Sequence, residues 1–316
     1  MTFQDVETAR KTYWDKFKSR LLIDVIISVI IGAIITMIIG ANIPTSSHEL
    51  IFHYITIVMT AFFLLSNIVF FLTRKEFAAY RKAYKEYFVE QNLQKIFTDI
   101  TYFHESGLDS RILEATGMIN TGDRYNSNDL TIAKYKNIGF TQADSHIQVI
   151  STDSEGGISY ETIFKGRIMI FQFPKKFNFK LELVGKNFRA YKVPEKDATT
   201  GRKMNEISTE SNEFNHTFKI YGQDGFETFY ILDPAMIVKI QTIAERYNDK
   251  ILFGFLDNQM LIAIDGVMDS FEPSSWIAKP IDEKTEMVEV ATEAKDIADF
   301  VDELSLTPIF RKNRQP

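Results

Sequence analysis

Eight cations crowd residues 165–192: Lys165, Arg167, Lys175, Lys176, Lys180, Lys186, Arg189 and Lys192, with Glu182 the only acid among them. That density suits anionic lipid headgroups, where each basic side chain near the surface contributes about 1 kcal/mol. It equally suits a phosphorylated ligand or an acidic protein partner. Lysines on the solvated positions of a strand, paired with the chain's own acids, give the same pattern. Lys165, Arg167, Lys175, Lys176, Lys180, Lys186 and Arg189 are therefore the candidate anion-binding residues.

Other chemistry is scarce. The 316 residues include no cysteine, which removes disulfides, thiolate metal sites and cysteine nucleophiles and fits a reducing compartment. There is no Gly-x-Gly-x-x-Gly, no Gly-x-x-x-x-Gly-Lys-Ser/Thr, no His-Glu-x-x-His and no Gly-x-Ser-x-Gly. His104, His146 and His216 are isolated in sequence and read as packing or surface residues. The carboxylates of 282–289 and 296–303 have the spacing of a solvated helix face. No catalytic residue, metal or cofactor is assigned. The leading reading is a binding or scaffold module. The alternative is a membrane-bound enzyme of unrecognised type acting on a lipid or phosphorylated metabolite, which a deep pocket lined by convergent Asp, His or Lys would favour.

The elements that carry these groups fall into two parts. Residues 1–96 hold 11 Lys/Arg and 8 Asp/Glu, whereas residues 97–316 hold 25 and 34, so a basic leader precedes an acidic domain that repels nucleic acid. Two apolar runs, Leu21 to Ile43 and Ile51 to Leu72, each reach roughly 33–35 Å as helices, enough to cross a hydrocarbon core of about 30 Å. Arg10, Lys11, Lys16, Lys18 and Arg20 precede them, and Arg74, Lys75, Arg81, Lys82 and Lys85 follow; the connector at 44–50 has no Lys or Arg. The bias predicts a multi-pass cell-membrane protein with both termini in the cytoplasm and the connector outside.

Within the spans Ser28, Gly32, Thr36 and Gly40 form a small-residue stripe suited to close helix packing, and Thr56, Thr60, Phe63 and Asn67 share a face of the second helix. A hairpin turning near residue 47 brings Ser28 level with Asn67 and predicts a hydrogen bond between them. A polar conduction path along Ser28, Thr36 and Asn67 is a third reading. Asp24 lies about a turn inside the inner interface, within reach of the lysines there.

Beyond the spans, aromatic spacing from Phe77 to Phe88, continued by Leu93, Ile96, Phe97 and Ile100, predicts a helical stalk over 73–103, with Tyr13, Trp14 and Phe17 of the segment 1–20 packing beside it or lying at the interface. Residues 104–310 alternate with a period of two. Strands are expected at 147–151, 158–164, 167–173, 177–183, 218–222, 227–232, 251–256 and 260–264. Asp233-Pro234 signals a helix start. A polar loop at 193–216 is expected, dividing the domain into two halves, and a final amphipathic helix carries Met287, Val290, Ala294, Ile297, Val301 and Leu304 before a basic tail at 311–316. The fold class is α+β: a two-helix transmembrane hairpin plus a mainly antiparallel-sheet cytoplasmic domain with a helical stalk and a C-terminal helix. A pleckstrin-homology-like barrel, single or paired, would suit that order.

Four stretches, Tyr125 to Phe140, Ile163 to Phe171, Phe214 to Tyr221 and Tyr230 to Pro234, resemble an uncharacterised bacterial membrane family, domain of unknown function 3137. The resemblance spans roughly residues 75–275. It implies a bacterial inner membrane protein with paired spans before a cytoplasmic domain and supplies no catalytic residues. Gly166 reads as a turn between strands. The bilayer is the expected partner, with an unidentified protein partner possible and nucleic acid excluded.

Overall fold

The computed structural model describes residues 1–42, 46–152, 156–173, 176, 179–193, 201, 203–223, 228–229, 231–267, 269–273 and 277–305. They form two compact units, Met1–Val89 with Glu272–Met287, and Glu90–Phe271 with the chain from Val288 onward.

The first unit starts with α1, Phe3–Asn42, one uninterrupted helix of 40 residues that takes in both the segment 1–20 and the first apolar run. No glycine or proline precedes Gly32 to break it. Next comes α2, Ser47–Leu72. Most of the expected seven-residue connector is helix instead, because Ser46 and Glu49 form a capping box: the Ser46 hydroxyl accepts from Glu49 N, and the Glu49 carboxylate accepts from Ser46 N at 2.8 Å. Ser46 is the cap of α2, and residues 43–45 lie outside the described residues. Both helices are long and apolar enough to cross a membrane, and only 17% and 11% of their most apolar stretches are buried, unlike the core helices of a soluble fold.

The stripe on α1 faces α2. Gly32 is the point of closest approach, since a Cβ there would meet Val58 Cγ2 at 2.3 Å, and Gly40 lies against Leu50. Ser28 and Asn67 do not bond to each other. The Ser28 hydroxyl donates to Asp24 Oδ1 at 3.3 Å in the buried seam, whereas Asn67 turns outward and donates to Phe63 O at 2.7 Å. Asp24 is 3% exposed and packs inward instead of reaching toward the lysines. Ser28 and Asn67 thus lie on different sides of α2's contact face and share no polar line.

After α2 come α3, Arg74–Tyr84, and a π-helical turn, Lys85–Val89. Tyr13 packs on Phe77 with ring centroids 5.2 Å apart, which settles its place beside the stalk. Tyr80, Tyr84 and Phe88 are buried in one aromatic stripe. The returning segment closes over it: Glu272 pairs with Arg81 and with Lys85, the latter at 2.7 Å, and the Tyr84 hydroxyl donates to Glu286 at 2.6 Å.

In the second unit α4, Glu90–Ile96, ends the stalk early, and Thr98–Phe103 is strand β1. The run Thr-Asp-Ile-Thr-Tyr-Phe is rich in β-branched and aromatic residues, and these preferences outweigh the helical spacing of Ile96, Phe97 and Ile100. A short helix α5, Ser110–Thr116, precedes β2, Arg124–Tyr135, β3, Ile138–Thr152, β4, Ile158–Gln172, and β5, Leu181–Gly185. Residues 153–155 and 177–178 lie outside the description. The expected loop at 193–216 contains β6, Asn205–Ile207, and α6, Asn212–Thr217. Then follow β7, Phe218–Gly222, α7, Pro234–Arg246, β8, Ile251–Leu256, β9, Gln259–Asp265, and α8, Glu283–Ser305. The tail at 311–316 lies outside the described residues.

All nine strands pair antiparallel in one sheet of order β1-β2-β3-β4-β9-β8-β5-β7-β6. β1 and β6 stand at its edges, so this is an open sheet and not a closed barrel, and it runs unbroken past residues 193–216. Gly166 is not a turn. It sits inside β4, where a Cβ would lie 2.0 Å from Ile264 O, so the glycine permits β4 and β9 to pair and joins the two expected strands 158–164 and 167–173 into one. Of the expected strand at 227–232, residues 227 and 230 lie outside the described residues; Thr228 and Phe229 are helical, and Leu232 N donates to Thr228 O at 2.9 Å. Asp233 caps α7 by accepting from Met236 N at 2.8 Å. One sheet face buries Ala143, Ile147, Phe164, Ile168, Leu252 and Ala263 with Leu113 of α5; period-two alternation puts Phe140, Arg167, Met169, Phe171, Ile262 and Ile264 on the other.

Gly32→Leu should force α1 and α2 apart. The expected loss is about 1–3 kcal/mol from overpacking, visible as a lower thermal midpoint of the full chain in detergent; an unchanged midpoint would show that the helices do not touch there.

Candidate functional site

The basic segment does not form one surface. Arg167 and Lys180 are buried and leave it. Arg167, on β4, gives Nη2 to the Ser270 hydroxyl at 2.6 Å and faces Asp144, with Nε 3.9 Å from Oδ1. Ser270 in turn donates through its hydroxyl to Asp144 Oδ1 at 2.9 Å and through its backbone N–H to Oδ2. Lys180 is an ion pair with Glu182 at 2.7 Å, the two side chains 1% and 0% exposed, and Glu182 also accepts from the Tyr191 hydroxyl at 2.6 Å. Burial and the Glu182 carboxylate hold the Tyr191 phenol well above its usual range. Lys175 lies outside the described residues.

The exposed cations converge at one end of the sheet. Lys165 stands where β4 meets the end of β9, its backbone N–H donating to Asp265 Oδ1 at 2.9 Å. Lys186 follows β5 and pairs with Asp249 at 3.0 Å. Arg189 reaches Glu161 of β4 at 3.6 Å. Lys250 enters the same group from the start of β8, where its carbonyl accepts from Asp265 N at 2.9 Å. Sequence reasoning missed Lys250 because strand order, not chain order, brings it there. Lys176 stands apart and pairs with Asp257 at 3.4 Å. His146, opposite Lys165 across the β3–β4 ladder, is pushed below its ordinary pKa by burial and by that lysine. Of the acids nearby, Glu161 and Asp249 make surface ion pairs of the kind that contribute at most about 1 kcal/mol, whereas Asp265 is buried and holds the Lys165 backbone N–H.

The C-terminal acids are a solvated face only in part: Asp282, Glu289 and Asp296 are exposed, and others are engaged. Tyr84 and Tyr87 donate to Glu286 and Glu283 in the first unit. In the second, Phe271 N donates to Glu293 at 2.7 Å, Lys136 pairs with Asp302 at 2.5 Å and Arg246 with Glu303 at 2.9 Å. Burial raises the pKa of Glu293 and of Asp296, each against the pull of Arg167. Asp144 is pushed up to about 6, again chiefly by burial, with Arg167 and Ser270 opposing. Gln142 and its cross-strand neighbour Thr131 are buried beside this layer with Oε1, Nε2 and Oγ1 unpaired among the described residues.

A cavity of about 620 Å³ that does not draw on these buried charges is lined by Phe229, Leu232, Pro234, Ile237 and Val238 with Thr209, Glu210, Ser211 and Asp233. A second, about 480 Å³, has Asp109, Arg111, Ile112 and Gln259 in its wall. Among the described residues no three His, Asp or Glu side chains are placed to hold a metal ion, and the three domain histidines are not brought together.

The fold and surface thus define a class: an antiparallel-sheet unit of internally matched charge following a pair of long apolar helices. Residues 162–306 match a family model described as a protein of unknown function, DUF3137, as the sequence motifs implied, although the match begins after the stretch Tyr125 to Phe140 and runs on through α8. No curated protein matches the chain. Among solved structures the chain is similar to the crystal structure of the mycobacterial trehalose monomycolate transport factor A, TtfA, at 10% identity and a TM-score of 0.36, over 71% of this chain and 97% of that one; a likeness of that size carries neither fold nor function across.

Two outcomes test the buried charges. Lys180→Met should cost about 3–5 kcal/mol by leaving Glu182 charged and unpaired in the interior, whereas Lys180→Met combined with Glu182→Gln should recover most of it while keeping an acceptor for Tyr191; denaturant titration of the full chain in detergent, read by circular dichroism, measures both, and equal losses would contradict the pairing. For Asp144, the folded chain between about pH 4 and pH 6 holds a proton that the unfolded chain has released, so this group's contribution to stability falls as pH rises through that window. The difference in denaturation midpoint between Asp144→Asn and the unaltered chain should therefore change between pH 4 and pH 6 and stay level above it.

Proposed function

We propose that this chain is a membrane-anchored binding or scaffold module whose sheet unit engages an anionic surface or an acidic partner through Lys165, Lys186, Arg189 and Lys250. Supporting the anchor are the two consecutive apolar helices with outward aliphatic and aromatic side chains, among them Met37, 75% exposed, and Phe52, 69% exposed. The charge bias across them favours both ends of the helix pair on the cytoplasmic side. The observation that carries the binding reading is the convergence of four cations from β4, β5 and β8 at one end of the sheet, three of them drawn from the basic segment. The buried charges of this unit, Lys180 with Glu182 and Arg167 with Asp144, are engaged with one another.

The test uses the full chain in nanodiscs of phosphatidylcholine, with and without phosphatidylglycerol. Hydrogen exchange at residues 184–190 and 249–252 should slow when the anionic lipid is present, and reversal of Lys165, Lys186 and Arg189 to Glu should abolish the slowing, three contributions of about 1 kcal/mol being lost. Reversal of Lys134 and Lys203, away from that end of the sheet, should leave it intact. Exchange that ignores both lipid charge and the triple reversal would sink the lipid version, and crosslinking from membranes would then identify an acidic protein partner.

A further inference from the structure

We propose that the outward face of α2 is a self-association surface that binds a second copy of this chain within the bilayer, an inference that rests on the membrane-spanning reading. Thr56, Thr60, Phe63, Asn67 and Phe70 follow one another in steps of four, three, four and three, the spacing of a heptad seam. All five are exposed, Phe63 at 70% and Phe70 at 63%, because α1 packs against the other side of α2 at Val58 and Tyr54.

The two helices differ in what they turn outward. α1 shows only aliphatic side chains there, such as Leu22, Ile26, Ile30, Ile34 and Met37, which suit lipid. α2 turns polar groups to the same solvent. The hydroxyls of Thr56 and Thr60 donate to Phe52 O at 2.9 Å and to Thr56 O at 2.8 Å, so those donors are satisfied within the helix. Asn67 is not. One N–H of its carboxamide goes to Phe63 O at 2.7 Å, and among the described residues the second N–H and Oδ1 have no partner. Hydrocarbon offers neither donor nor acceptor, so these groups are matched only by another polar side chain at the same depth.

A second copy supplies that side chain automatically. Identical chains in one membrane share one topology, so two α2 helices meet parallel with Asn67 level with Asn67. A carboxamide both donates and accepts, which makes the contact self-complementary under two-fold symmetry. A single polar residue on an apolar seam also fixes register. An unrelated helix would need a polar group placed at this depth by coincidence.

The cysteine-free sequence makes the test direct. Phe63→Cys, Thr60→Cys and Phe70→Cys in the full chain should each give a disulfide-linked dimer on mild oxidation of isolated membranes, and Ile30→Cys and Ile34→Cys on the outward face of α1 should not. Asn67→Leu should weaken dimerisation about 5- to 30-fold, measured by dilution in lipid with donor- and acceptor-labelled chains. Absence of crosslinks at 60, 63 and 70, equal crosslinking at 30 and 34, or an unaltered dimerisation constant in Asn67→Leu each overturns the proposal. Alkaline carbonate extraction of the same membranes separates the two layers of the argument: release of the chain overturns the anchor and the dimer together, and retention without seam crosslinks overturns the dimer alone.

Discussion

A charge carried into a protein interior costs several kcal/mol unless a partner goes with it, and both units of this chain are arranged around that constraint. Lys85 is buried against Glu272. Lys180 and Glu182 enclose each other between β5 and its neighbours, with Tyr191 completing the carboxylate's shell. Arg167, on the sheet face shared with Phe140 and Met169, is met by Ser270 and Asp144 and lowers the cost of keeping Glu293 of α8 partly buried. Lys85 with Glu272, and Arg167 with Ser270 and Asp144, join segments distant in sequence, so they select one arrangement of strands and returning helix over others that would bury the same apolar area.

The surface chemistry is what remains after that selection. Two of the seven cations that chain order groups together are consumed inside, and a fourth exposed one, Lys250, arrives from elsewhere. A linear cluster of like charge was thus a mixture of two populations with opposite roles. Lys165 and Arg167, two apart on β4, share a face, so what separates them is the cover that Ser270 and Asp144 give Arg167 alone.

Much of the framework was legible from residues alone. Two apolar runs, the α+β class, the hairpin of β8 and β9, strand β7 and the Asp233-capped start of α7 follow from hydropathy, alternation and one capping carboxylate. The failures have physical causes. Gly166 looked like punctuation because glycine usually is; it is instead the place where a neighbouring carbonyl comes too near for a Cβ. The stalk overran into β1 because helical and strand periodicities overlap across Ile96 to Phe103, and pairing with β2 decides between them. Glu286, Glu293, Asp302 and Glu303 of α8 have partners, Tyr84, Phe271, Lys136 and Arg246, that helical spacing could not show because they lie far away in the chain. Ser46 and Glu49, by contrast, were a readable helix start hidden inside an assumed loop.

The first unit is assembled from the two ends of a long interval: Arg81 bonds to Glu272 across 191 residues. Synthesis at 5–20 residues per second separates them by roughly 10–40 s. During that interval α1, α2 and α3 already exist, with Arg81 and Lys85 lacking their carboxylate, while every strand of the sheet emerges in turn. The part of the molecule made first therefore stays open until the last strand has been made, and the closing of Glu272 on the aromatic stripe marks the moment at which the whole sheet sequence has left the ribosome.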